Sequence, residues 1–83
     1  MYLAKVYVSL RSTVSDPQGL TIQGGLHQLG FEDIVSVRAG KYMEIKIDQD
    51  TESEAARQVE SMCDKLLTNP IIEEYRFELE PVD

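Results

Sequence analysis

From Tyr2 to Leu10 apolar and polar positions alternate: Ala4, Val6, Val8 and Leu10 fall on one side, Leu3, Lys5, Tyr7 and Ser9 on the other. Period two in a stretch rich in β-branched and aromatic residues predicts a half-buried strand. The period then changes. Ile22, Leu26 and Leu29 recur at i, i+4 and i+7. Ahead of them stand Asp16, an N-cap residue type, and Pro17, whose missing N–H costs nothing at a first helical position. A first helix is expected here, closed by Gly30. Gly24-Gly25 weaken it by about 1 kcal/mol each against Ala, which implies a closely packed neighbour.

Ile34 to Ala39 and Met43 to Ile47 read as two further strands, joined by a tight turn near Ala39-Gly40-Lys41. Thr51 and Glu54 form a capping box, and a second helix runs to about Thr68. Its stripe is Ala55, Val59, Met62 and Leu66, flanked by Ala56, Cys63 and Leu67, and Asn69-Pro70 stops it. The last strand covers Ile71 to Glu80, with Tyr75, Phe77 and Leu79 on one side and Arg76, Glu78 and Glu80 on the other.

This order predicts an α+β, ferredoxin-like βαββαβ fold, an antiparallel sheet with two helices on one face. Its spatial strand order is 4-1-3-2. Val6, Val8, Val35, Val37, Ile45, Ile47, Tyr75, Phe77 and Leu79 then face the helices. The other face displays Lys5, Tyr7, Ser9, Ile34, Arg38, Tyr42, Glu44, Lys46, Arg76 and Glu78. An antiparallel sheet tolerates a solvated face, but two tyrosines and arginines are also types enriched where proteins meet.

The chain has 83 residues, 42% hydrophobic and 28% charged, which fits one small domain over residues 1–83. A domain of this size buries only about 63% of its surface on folding, so help from a partner chain is expected. Net charge is −7, with 8 Lys and Arg against 15 Asp and Glu. That balance argues against nucleic acid and against an anionic membrane surface. A single cysteine, Cys63, makes no internal disulfide. No apolar run approaches the roughly 20 residues of a membrane span, and Met1 to Leu10 lacks the pattern of a signal peptide. A soluble cytoplasmic chain is expected.

Catalytic chemistry is scarce. His27 is the only histidine, and Cys63 sits beside a core stripe with no basic neighbour in sequence; surface and packing roles fit them better than a nucleophilic pair. Asp48, Asp50, Glu52 and Glu54 echo a calcium loop, but Ser53 stands where that loop needs glycine and Val59 where it needs its closing glutamate. An acidic first helical turn explains them better. There is no phosphate loop, no metal-ligand spacing, and too few aromatics beside Gly40-Lys41-Tyr42 for an RNA-binding sheet.

Four segments, in order, carry a family resemblance: Lys5-Val6-Tyr7-Val8-Ser9-Leu10, Asp16-Pro17-Gln18-Gly19, Val37 to Glu44, and Met62 to Tyr75. Together they resemble the PurS family, the small subunit of phosphoribosylformylglycinamidine (FGAM) synthase in de novo purine synthesis. The resemblance implies an accessory role without catalytic residues or cofactor in this chain. A glutaminase subunit would release ammonia. A large synthetase subunit, using ATP and magnesium, would place it on formylglycinamide ribonucleotide. The small subunit, a homodimer or tetramer, would join the two and assist ammonia transfer.

On that basis Tyr7, Arg38, Lys41, Tyr42, Glu44, Asn69, Tyr75 and Arg76 are the candidate interface residues, with Asp16 to Gly19 a candidate loop contact. Gly40, Asp16 and Pro70 have simpler roles as turn, cap and helix stop. The competing expectation is a stand-alone small-molecule-sensing domain of the same layout, with Gly24-Gly25 admitting a ligand to the helix backbone.

Overall fold

The alternating run becomes the middle strand, β1 (Tyr2–Leu10), of a three-stranded antiparallel sheet. A computed structural model describes residues 1–83. After β1 come α1 (Pro17–Gln28), β2 (Gly40–Ile47), α2 (Glu52–Met62), a π-helical turn (Cys63–Leu67) and β3 (Glu73–Pro81). No helix is long and apolar enough to cross a membrane.

The helix ends follow the local chemistry. Asp16 caps α1 by accepting from the Gly19 N–H at 2.9 Å, with Pro17 at the first turn. At the far end Gly30 takes φ 99°, Gly30 N–H donates to His27 O and Phe31 N–H to Leu26 O. That pair of bonds is the Schellman stop, which needs the left-handed conformation glycine adopts freely. Thr51 caps α2 through the Glu54 N–H, while the Glu54 carboxylate goes to Arg57 instead of completing the box. Thr68 closes the π turn, its N–H and hydroxyl both donating to Cys63 O.

Register follows the alternation. Val6 lies between Met43 and Phe77, and Ala4 between Ile45 and Leu79. α2 packs over this face, chiefly on β1 and β3. Ala4, Val6, Val8, Ile47, Val59 and Cys63 form the buried core, rimmed by Met43, Ile45, Met62, Leu67, Tyr75, Phe77 and Leu79.

The α+β, ferredoxin-like layout of antiparallel sheet and two helices holds, and the strand order β2-β1-β3 is the expected one without its outermost strand. Ile34 to Ala39 is extended but pairs with no strand. Its polar groups go to α1: Gln23 Nε2 donates to Val35 O at 3.1 Å, His27 Nε2 to Ile34 O at 2.9 Å, and Ala39 N–H to Asp16 Oδ2 at 2.7 Å. Nor is there a tight turn at Ala39-Gly40-Lys41: the chain runs extended through Ala39 and enters β2 at Gly40. Gly40 is small because the Val8 carbonyl oxygen lies 2.5 Å from where a Cβ would stand.

As a consequence α1 has no substantial packing against the strands. Helix and returning segment form an arm that projects beyond the sheet, and Gly24-Gly25 have nothing within 4 Å of a would-be Cβ. The radius of gyration is 16.3 Å, against about 12 Å for a compact chain of this length.

Candidate functional site

The sheet face opposite α2 is bare. Successive cross-strand rows on it read Lys46–Leu3–Glu80, Glu44–Lys5–Glu78, Tyr42–Tyr7–Arg76 and Gly40–Ser9–Glu74. Directly opposed residues interact on one sheet face, and here they do. The Tyr7 and Tyr42 rings are 5.0 Å apart at 44°. The Arg76 guanidinium lies 3.9 Å above the Tyr7 ring centre, a cation–π contact. Tyr42 thus packs against one side of Tyr7 while Arg76 covers its ring.

Charges frame this row. Tyr42 donates to Glu44 Oε2 at 2.8 Å, and that bond, before desolvation, raises its pKa. Lys5 reaches Glu80 at 3.0 Å, whose hydrogen bond and charge raise the lysine's pKa. Arg76 Nη1 lies 3.3 Å from Glu78 Oε1. Beside the row is a shallow recess of about 310 Å³ lined by Tyr7, Ser9, Glu74, Tyr75 and Arg76. Paired charges and packed aromatics on a flat surface suit binding by contact.

Tyr7, Tyr42, Glu44 and Arg76 therefore come together as the alternation predicts. The other candidates do not join them. Arg38 leaves the sheet: its guanidinium donates to Arg11 O and Val14 O at 2.9 and 2.8 Å, fixing the base of the arm. Ile34 is on the unpaired segment. Lys41 points to the helix side, 3.7 Å from Glu73. Tyr75 is also there, stacked on Phe77 at 6.4 Å, and its burial raises the phenol pKa. Asn69 shapes a turn, its Oδ1 accepting from Ile71 N–H. Pro70 O accepts from Arg11.

Asp16 is 5% exposed and joins α1 to Ala39, so it acts as cap and clasp. Cys63 is buried, and desolvation, then Asp64 and Glu60, raises its thiol pKa. Glu74 lines the recess and shares a face with Arg76, which the same period-two count signals. Leu66, expected in the buried stripe of the second helix, is instead exposed, because the π-helical turn Cys63–Leu67 shifts the register and brings Leu67 onto the core; Ile71 and Ile72 are exposed beside it.

The family model described as PurS, phosphoribosylformylglycinamidine (FGAM) synthase, matches residues 3–81. The chain belongs to the PurS family. The PurS subunit of Bacillus subtilis is 46% identical over 82 residues, covering 99% of this chain and 96% of that one. The crystal structure of Methanocaldococcus jannaschii PurS superposes with a TM-score of 0.90 at 37% identity, over the whole of both chains. A chain in the structure of PurLQS from Thermotoga maritima superposes with a TM-score of 0.85 at 28% identity, covering 96% of this chain and 99% of that one. As a PurS protein this chain is an accessory subunit of FGAM synthase and serves purine biosynthesis.

Proposed function

We propose that the chain works in the cytoplasm as a homodimer that joins the glutaminase and large synthetase subunits of FGAM synthase and assists ammonia transfer between them. Formylglycinamide ribonucleotide would be converted on the synthetase, with ATP and magnesium bound there. Ammonia released into bulk water at neutral pH is protonated and loses its nucleophilic lone pair. Subunits held in register shorten its path and exclude water, which contributes more than any side chain this protein could offer.

The bare face centred on Tyr42–Tyr7–Arg76 carries this reading, because tyrosine and arginine dominate binding energy at interface centres. The likeness to a chain of a PurLQS assembly supports it. Glu44 belongs to the same docking face. The segment from Asn69 to Arg76, with Leu66, Ile71 and Ile72 exposed beside it, supplies a second.

Reconstitution with the two partner subunits tests this. Tyr42→Ala and Arg76→Ala should weaken assembly by about 10-fold or more each. Glutamine-dependent activity should fall while turnover with added ammonium stays unchanged. Unchanged assembly with both variants removes this face from the account.

A further inference from the structure

β3 ends the sheet on one side, with β1 as its sole neighbour. The phase of its hydrogen bonds follows from the two ends of that pairing. Arg11 N–H donates to Ile72 O and Val82 N–H to Met1 O, each at 2.9 Å. Even-numbered residues of β3 therefore turn their N–H and C=O toward β1, and Tyr75, Phe77 and Leu79 turn theirs outward. Glu73 N–H is closed off by Asn69 O at 2.7 Å, and Pro81 has no N–H to offer. Donors and acceptors at 75, 77 and 79 are left along the edge without a backbone partner in the chain.

Native proteins blunt such an edge with a short strand, a bulge or an interior proline. β3 is nine residues long, pairs with β1 in unbroken register and holds its proline at the last position. What it carries is charge: Glu73, Glu74, Glu78 and Glu80 against the one cation Arg76. Arg76 is drawn inward over the Tyr7 ring, Glu80 is paired with Lys5, and Glu74 is in no salt bridge. On the other face Tyr75, Phe77 and Leu79 only rim the core. The edge thus offers apolar surface on one face and unbalanced carboxylates on the other. A second copy would bring the same excess of negative charge, so like charges disfavour it as the occupant.

Resting on the docking reading above, we infer that the outer edge of β3 receives an extended segment of the large synthetase subunit in which apolar residues alternate with lysine or arginine. The segment's backbone pairs with Tyr75, Phe77 and Leu79. Its apolar side chains continue the surface these three begin, and its cations lie opposite Glu74 and Glu78. Strand addition of this kind draws affinity from main-chain bonds and specificity from alternate side chains. The synthetase is the better match of the two partners because a ribonucleotide and ATP are polyanions. A subunit that holds them carries positive charge, toward which an acidic edge is steered. An edge contact also leaves the Tyr42–Tyr7–Arg76 face free for the glutaminase, and a linking protein needs two such surfaces.

Hydrogen exchange of the labelled chain, quenched in the complex and read by NMR after dissociation, tests the pairing. In the free protein the Tyr75, Phe77 and Leu79 amides should exchange fast, and those of Arg76, Glu78 and Glu80 slowly. With the synthetase subunit alone the three outward amides should slow by about 10-fold or more, erasing the odd–even alternation. Glu74→Lys with Glu78→Lys should weaken that association by about 10-fold. Asp48→Lys with Asp50→Lys, the same charge change beyond the end of β2, should leave it within about twofold. Association with the three amides still fast overturns strand addition and leaves the docking reading standing. Protection by the glutaminase in place of the synthetase, or equal losses from both charge pairs, also overturns the inference. No association with either subunit overturns it together with the docking reading.

Discussion

Asp16 shows how much one side chain decides. Its two oxygens bind the Gly19 and Ala39 N–H groups, and the Ala39 bond, then the Gly19 bond, holds its pKa below the usual carboxylate range. A depressed folded-state pKa means stability fully present above the unfolded value and lost as pH falls through the folded one. Acid melting curves should therefore show the wild-type advantage over Asp16→Asn at neutral pH and its disappearance below the normal carboxylate range. An advantage that persists into strong acid refutes this role. Gly19→Ala is the companion test. A Cβ would overlap the Val37 carbonyl oxygen, which is backbone and cannot swing aside. Overpacking should cost about 1–3 kcal/mol, read by urea unfolding.

Elements differ in how far their own residues specify them. β1, α2 and β3 are legible from period and caps, because their partners are the faces that the period itself creates. Within α2, Val59 is fully buried against the sheet, and Val59→Ala should cost roughly 2 kcal/mol, measured by the shift in urea midpoint. The segment Ile34 to Ala39 has the composition of a strand and is extended, yet its pairing was not legible. Where its backbone bonds go depends on Gln23, His27 and Asp16 (all on or capping α1), and no local pattern states that. Gly30 by contrast was legible as a stop, since a left-handed C′ position calls for glycine. Gly30→Ala should fray the end of α1 and lower the melting temperature by a few degrees.

At the scale of the molecule, the candidate site was half legible. Parity along β1, β2 and β3 placed Tyr7, Tyr42, Glu44 and Arg76 on one face, and the structure packs Tyr42, Tyr7 and Arg76 in one cross-strand row with Glu44 bonded to Tyr42 from the next. Arg38 and Ile34 were misplaced with the strand they were assigned to. Lys41 and Tyr75 lie on the opposite face, where the same parity puts them: Tyr75 with Phe77 and Leu79, and Lys41 with Met43 and Ile45. The marginal core expected of so short a chain is visible in the elongated shape, and both point outward to other subunits. The account's central claim is that this PurS protein contributes contact and register while its partners contribute chemistry. Steady-state FGAM synthesis by the glutaminase and synthetase subunits, with and without this chain, tests it most directly. Glutamine-dependent turnover should rise strongly on its addition, ammonium-dependent turnover should not change, and the chain alone should be inert. Equal glutamine-dependent rates with and without it, or turnover by the isolated chain, would contradict the claim.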